Sequence, residues 1–307
     1  MRVLITGGAG FIGSHLVQAW EDKADVIVLD NFRTGFERNL IGRKCRLVNG
    51  SIEDRDLVRE LMQGIDYVFN MAALVSVPES VSNPRATLAL NVLGLLNVLD
   101  AAVESGVKKV VFSSSAAVYG NNPSVPKLEE MVPEPLSPYA ITKLDGEHYL
   151  EFYRREFGLQ TVALRFFNVF GPRQDPNGAY AAAVPIFISK AISGDPITIF
   201  GDGEQTRDFV FVKDIVGANL FVCAEAGAIG VYNVGYGKSI SINDLAQSIN
   251  ERFGNKSPIL HREERPGDVK HSLASADKLM KLGWKPRFSV GEGLDKTIAY
   301  YTKQSDC

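Results

Sequence analysis

Thr6-Gly7-Gly8-Ala9-Gly10-Phe11-Ile12-Gly13-Ser14-His15 follows directly on the apolar run Val3-Leu4-Ile5 and opens a helical pattern over residues 11–22. The spacing Gly7-x-x-Gly10-x-x-Gly13, set between a strand and a helix, reads as a dinucleotide-binding turn. Gly7 permits the tight turn, Gly10 lets backbone N–H groups approach a pyrophosphate, and Gly13 lets helix and strand pack closely. The helix N-terminus then faces the negative charge. Loops of purely structural glycines also occur, but here the strand before and the helix after favour a cofactor. Asp30 closes the second apolar run, where an acidic side chain meets the hydroxyls of an adenosine ribose. Its carboxylate repels a 2′-phosphate, so the cofactor expected is NAD rather than NADP. Arg33 argues the other way, and a turn-capping role for Asp30 is the plain alternative.

Outward from this turn, the first half of the chain alternates short apolar runs with stretches of helical period. Residues 3–5, 26–30, 46–48, 67–70, 110–113 and 162–166 are rich in Val, Ile and Phe, the texture of strands buried on both faces. Between them, residues 88–103 place Leu90, Val92, Leu93, Leu96, Leu99 and Ala102 at helical spacing. This alternation predicts an α/β fold, a Rossmann-type doubly wound parallel sheet with helices on both faces. After Phe170 the texture changes. Gly171-Pro172, Asp175-Pro176, Asn177-Gly178 and Gly201-Asp202-Gly203 mark turns. Shorter units accompany them: a strand over Ile197–Phe200, a helix after Asp214, a strand over 231–234, and a helix over 243–253 with a Ser or Asn cap. The expected division is an NAD-binding domain over 1–170, rejoined by 206–228, and a smaller α/β substrate-binding domain over 171–307.

Of 307 residues, 45% are hydrophobic and 22% charged, which fits a soluble globular chain rather than a disordered one. A net charge of −3 offers no basic field, so neither nucleic acid nor a membrane surface is an expected partner. Met1 leads straight into a strand, which leaves no room for a signal peptide. No apolar stretch of about 20 residues stands out as a spanning helix. Cys45, Cys223 and Cys307 are odd in number and far apart, which suits reduced thiols in a cytoplasm. Cys307 is also too close to the end for a prenylation box. His261 and His271 lack metal-ligand spacing, and no metal is expected.

Ser137-Pro138-Tyr139-Ala140-Ile141-Thr142-Lys143 carries a second signal. Pro138 suits the first turn of a helix, and the i, i+4 spacing puts Tyr139 and Lys143 on one face. A free phenol, with a pKa of about 10, is a poor base at neutral pH. A neighbouring ammonium and a cationic nicotinamide ring both favour the phenolate. The run 110–113 leads into Ser113-Ser114-Ser115, at the sheet edge where ligands collect, and a hydroxyl there can share a proton with the tyrosine. Taken singly, such a Tyr–Lys pair is usually a surface pair, and such serines are usually turn residues. Their joint order with the glycine turn is what points to a site.

These segments, with Asn70-Met71-Ala72-Ala73, Ser113-Ser114-Ser115-Ala116-Ala117-Val118-Tyr119-Gly120, Arg165-Phe166-Phe167-Asn168-Val169-Phe170-Gly171 and Arg207-Asp208-Phe209-Val210, resemble the extended short-chain dehydrogenase/reductase family. Within it the likeness is to the UDP-sugar 4-epimerases, over nearly the whole chain. The resemblance implies Tyr139 as the base, Lys143 on the nicotinamide ribose and Ser115 as the hydroxyl partner. It places Gly7, Gly10, Phe11, Ile12, Ala72 and Ala73 around NAD, Asp30 and Asn31 on the adenosine ribose, and Ser51 and Ile52 at the adenine. Asn91 forms the inner wall of that site. Two departures weaken individual contacts: Ser51 stands where an Asp is usual, and Val75 where some epimerases carry a Lys.

On the substrate side the likeness puts Asn168 on the diphosphate or sugar, Arg265 on the UDP diphosphate and Asp268 on the uridine ribose. Arg207 and Arg265 suit bidentate phosphate recognition, whereas Arg33, Arg38 and Arg43 read as surface charges. Gln174-Asp175-Pro176-Asn177-Gly178-Ala179-Tyr180 resembles the loop of epimerases that accept N-acetylated sugars. Ser272 stands where some relatives place a large Tyr, leaving room for an acetamido group. The implied activity is NAD-dependent 4-epimerisation of UDP-Glc/UDP-Gal and UDP-GlcNAc/UDP-GalNAc through a transient 4-keto sugar. A homodimer built on the 88–103 and Pro138–Phe157 helices is a further family-level expectation. A dehydratase or decarboxylase of the same fold is the alternative, but Ala116 and Ala117 stand where those enzymes carry acids. A non-catalytic nucleotide-sugar-binding protein is the other, and the intact Tyr139 and Lys143 speak against it.

Overall fold

Val3 and Ile5 pack into one apolar cluster and Leu4 into another, so strand β1 (Arg2–Thr6) is covered on both faces. Successive strand side chains point to opposite faces, and a doubly covered strand must be apolar throughout. This holds across the sheet. The computed structural model describes residues 1–177, 182–264 and 270–305. From β1 the chain runs through α1 (Phe11–Trp20), β2 (Asp25–Asp30), β3 (Arg46–Asn49), α2 (Arg55–Leu61), β4 (Tyr67–Asn70) and α3 (Val77–Ser82). It continues through α4 (Pro84–Leu88), α5 (Gly94–Glu104), β5 (Lys109–Ser115), α6 (Pro138–Phe157) and β6 (Gln160–Phe166). Then follow β7 (Asn168–Phe170), α7 (Ala183–Ser193), β8 (Ile197–Phe200), β9 (Thr206–Phe211), α8 (Val212–Ala224) and β10 (Gly230–Val234). The last elements are β11 (Ser239–Ser241), α9 (Ile242–Glu251), β12 (Ile259–Arg262), β13 (His271–Ser272), α10 (Asp277–Lys281) and α11 (Val290–Ser305).

Seven parallel strands form the large sheet in the order β10-β6-β5-β4-β1-β2-β3. The winding reverses between β1 and β4, and ligands gather beyond the carboxyl ends at such a point. Leu16, Val17 and Trp20 of α1 join Ile215, Ala218 and Val222 of α8 on one face. Val58 and Leu61 of α2, Leu95, Val98 and Leu99 of α5, and Leu150 of α6 cover the other. Each fully buried Val or Leu is worth about 1.5–3 kcal/mol, so these two layers largely offset the entropy of ordering the chain.

The structure differs from the sequence reading at several element ends. Helix α1 stops at Trp20 rather than residue 22, because Glu21 and Asp22 turn away to pair with Arg43 and Lys44. Helix α9 starts at Ile242, one residue early, with Ser241 as its cap. The helix expected over 88–103 is continuous over Pro84–Glu104, with a π turn at Ala89–Leu93 linking α4 to α5. Contrary to expectation, it is long and apolar enough to cross a membrane, the one such helix among the described residues. Its apolarity is that of a core helix, since Leu95, Val98, Leu99, Ala101 and Ala102 are fully buried.

The return of the chain to the large sheet also differs from the expected 206–228. Thr206–Phe211 pairs with β7, β11 and β13 in a separate small sheet, while α8 covers the large sheet and β10 extends it beside β6. A second pair, β8 with β12, packs with α7, α9 and α11 around Phe187, Ile199, Phe209, Leu245 and Leu294. The crossing places the small sheet beside the carboxyl ends of the large one, because β7 leaves β6 after a single residue.

Candidate active site

At Gly7 the backbone has φ +67°, and a Cβ there would stand 2.7 Å from the Ala72 nitrogen. At Gly13 a Cβ would meet the Gly7 carbonyl oxygen at 2.2 Å. Only glycine admits this approach of helix, turn and the segment after β4. Helix α1 begins at Gly10 with no side-chain cap, and Gly7, Gly10, Phe11, Ile12 and Gly13 line a cleft of about 1140 Å³. Its uncapped first-turn N–H groups suit a pyrophosphate. Ala72 and Ala73 form the opposite wall.

Asp30 carries both roles weighed from the sequence. Its oxygens accept the Ala9 N–H at 2.9 Å and the Phe32 N–H at 2.8 Å, and the side chain also lines the cleft. Each carboxylate oxygen keeps a lone pair for a ribose hydroxyl. Asn31, Ser51 and Ile52 continue the same wall. Arg33 is ion-paired with Glu79 across the cleft mouth, so the cation that favoured a 2′-phosphate is already countered. This donor and acceptor set fits NAD. Asn91 is not among the residues that line the cleft. It is 4% exposed, accepts the Leu74 N–H at 2.7 Å, and donates to the Leu74 carbonyl and Thr142 Oγ1, both at 3.0 Å. It braces the wall from behind.

Tyr139 sits in the first turn of α6, where Pro138 opens the helix and Ser137 Oγ accepts the Ala140 N–H at 3.2 Å. Its phenol lines the cleft with Ser115, whose Oγ accepts the Ala117 N–H at 3.1 Å. Lys143 Nζ donates to the Ser113 carbonyl at 2.6 Å and lies 5.8 Å from the Tyr139 ring centre. Tyr139, Lys143, Ser113 and Ser115 all line the cleft. The expected acidification of Tyr139 by Lys143 is not the balance found in the chain alone. Burial pushes the phenol up, opposed by the neighbouring Ser115 side chain, and burial pulls the Lys143 ammonium down to about 7, opposed by Glu147. Removing water from a charge disfavours it whatever its sign.

The substrate-side residues split. Asn168 donates to the Asp208 carbonyl at 3.1 Å, Arg207 to the Thr206 carbonyl at 2.9 Å, and Ser272 pairs in register with Arg207. The three stand on adjacent strands of the small sheet but are not among the cleft's lining residues. Arg265, Asp268 and residues 178–180 lie outside the described residues. Gln174 and Asp175 do line the cleft, as does Arg173, which the sequence reading passed over. Sequence reasoning also missed the buried Glu147–Arg165 pair under the site, although Glu147 continues the Tyr139, Lys143 spacing by one more turn. Among the described residues, no group of three or more His, Cys, Asp or Glu is placed to hold a metal.

The model of the NAD dependent epimerase/dehydratase family matches residues 3–235. A putative UDP-glucose 4-epimerase of Methanocaldococcus jannaschii is 40% identical over 299 residues, covering 96% of this chain and 97% of its own. The UDP-N-acetylglucosamine 4-epimerase from Methanobrevibacter ruminantium, solved with UDP-N-acetylmuramic acid, is 42% identical. It superposes with a TM-score of 0.95 over 99% of this chain and 98% of its own. The UDP-glucose 4-epimerase of Thermus thermophilus, solved with NAD, is 38% identical with a TM-score of 0.90 over 98% and 99%. The glycine turn, the Tyr139–Lys143 helix and these likenesses agree, and the chain belongs to the NAD dependent epimerase/dehydratase family.

Proposed function

We propose that this protein interconverts the C4 epimers of UDP-hexoses, and that the observation carrying this reading is the meeting of Tyr139, Lys143 and Ser115 inside the cleft formed by the glycine turn. NAD, when bound, supplies the chemistry of taking a hydride from C4 and giving it back. The protein's part is acid–base work and orientation. Ser115 Oγ and Tyr139 Oη hold the sugar's 4-hydroxyl, and Tyr139 takes its proton as the carbon is oxidised. Lys143, charged, steadies the phenolate. The planar 4-keto sugar, tethered through UDP, turns to offer its other face, and Tyr139 returns the proton. Burial raises the phenol in the free protein, so the positive charge of Lys143 and of the cofactor ring must offset it.

Asn168, Arg207 and Ser272 fit the sugar-nucleotide side as proposed contacts, with Arg265 and Asp268 on the diphosphate and ribose. The small Ser272 suits an acetamido group, so both UDP-glucose and UDP-N-acetylglucosamine are proposed substrates; shape at C2 admits more readily than it selects. A dehydratase needs acids just after Ser115, where Ala116 and Ala117 supply none. Exposed Leu88, Leu93, Ile141, Phe152 and Phe157 on two adjacent helices support a homodimer through them. The unpaired Cys45 and Cys223 suit a reducing cytoplasm.

The test is proton NMR of the products from UDP-glucose, UDP-N-acetylglucosamine and UDP-glucuronic acid, each incubated with the cofactor-loaded protein. C4 epimers from the first two are expected. A dehydrated or decarboxylated sugar, or no turnover of any, contradicts the reading.

A further inference from the structure

Tyr139, Lys143 and Glu147 succeed one another at four-residue intervals down one face of α6. The first two line the cleft; the third lies beneath it, its side chain 4% exposed. Glu147 Oε1 accepts the Ser114 hydroxyl at 2.5 Å and Arg165 Nε at 2.9 Å, and Oε2 accepts Arg165 Nη2 at 2.7 Å. Arg165 Nη1 donates to Tyr119 Oη at 2.8 Å, and Tyr119 donates to Asn233 Oδ1 at 2.7 Å. Three strands of the large sheet, β5, β6 and β10, are thereby tied to the catalytic helix. Packing alone does not call for this. A buried ion pair is often no more stabilising than apolar residues of the same volume.

Lys143 shows what the carboxylate can do. It is 2% exposed, its Nζ bonds the neutral Ser113 carbonyl, and the Phe112 ring centre lies 4.8 Å away. The titratable or charged groups around it are Tyr139 and Glu147 on its own helix, with Arg165 and Tyr119 beyond Glu147 and engaged with it or each other. The β5 side offers Ser113, Ser114 and Phe112, none of them ionised. Burial draws Lys143 toward the neutral amine, and Glu147 opposes that pull.

We propose that Glu147 is a positioning residue for the epimerase reaction, its buried carboxylate keeping Lys143 protonated beside Tyr139 while Ser114 and Arg165 hold that carboxylate ionised and in place. This rests on Tyr139 and Lys143 acting as described above. A neutral Lys143 could not steady the phenolate, so loss of Glu147 acts on the reaction through the lysine.

The direct readout is the titration of Lys143 in the cofactor-loaded protein, followed by NMR of lysine carrying ¹³C at Cε and assigned by the signal lost in Lys143→Met. Two variants are compared with the unmodified protein: Glu147→Gln, and the double change Glu147→Gln/Arg165→Gln, which leaves no unpaired buried charge. In both, the Lys143 midpoint is expected to fall by about one pH unit or more. The alkaline limb of kcat for UDP-glucose moves down with it, so turnover above that limb falls about tenfold. Glu147→Asp, which keeps the charge, recovers part of the shift. A midpoint and an alkaline limb that both superimpose on those of the unmodified protein, in either folded variant, overturn the proposal whatever the loss in Tm. If instead Tyr139→Phe keeps its turnover, the reading of the site itself fails, and this one with it.

Discussion

At Asp30 one carboxylate both shapes a turn and faces the cofactor cleft. Replacing it by Ala orphans the Ala9 and Phe32 amides, each at a cost of about 1–3 kcal/mol, and removes a charge-assisted acceptor for a ribose. Asp30→Ala is therefore expected to yield at least about tenfold less NAD on acid extraction of the purified protein, with a lower Tm. Near-stoichiometric NAD in that variant would contradict the assignment. Asp30, the three glycines and the Tyr139–Lys143 pair are legible in the sequence because their meaning lies in short spacings. The balance of charge at Tyr139 and Lys143 is not, since it is set by how much water each group loses in the fold. The Arg165–Glu147 pair escapes a linear reading for a related reason: helix and strand must pack before the two meet.

Elements show the same division. Buried parallel strands announce themselves as apolar runs, and all seven strands of the large sheet were placed to within two residues at each end. A π turn adds one residue without disturbing the apolar period enough to be seen, and the bonds of Asn91 to the Leu74 backbone form only once that helix packs beside the segment after β4. Contacts between distant elements are equally silent. His15 of α1 donates from Nε2 to the Pro172 carbonyl at 2.9 Å, fastening the helix to the segment after β7. Burial, then the charge of Arg173, lowers its pKa from 6.5 to about 4. The unfolded chain therefore takes up this proton first as pH falls. The stabilisation is full above about 6.5 and is lost progressively toward about 4, some 3 kcal/mol in all. Urea midpoints of His15→Gln, which retains a donor, are expected to fall less between pH 7 and 4.5 than those of the unmodified protein. Equal declines would contradict this.

For the molecule as a whole, one cleft gathers the glycine turn, Asp30, Ser115, Tyr139 and Lys143 from β1, β2, β5 and α6. The alternating runs predicted this architecture, but not that β10 would return to the large sheet while β9 stayed in the small one. That pairing depends on which edges are free after the first six strands assemble. The exposed apolar residues of α6 and the helix before it predict a larger assembly. Light scattering should give twice the chain mass, and Phe152→Asp should give the single-chain mass with the fold retained. A monomeric unmodified protein would contradict the proposed interface. The most direct test of the whole account is turnover of UDP-glucose by Tyr139→Phe, measured beside UDP binding by calorimetry. The account predicts a loss of about 10²–10⁴-fold in kcat with UDP affinity unchanged. Turnover within about tenfold of the unmodified protein would contradict the role given to that phenol.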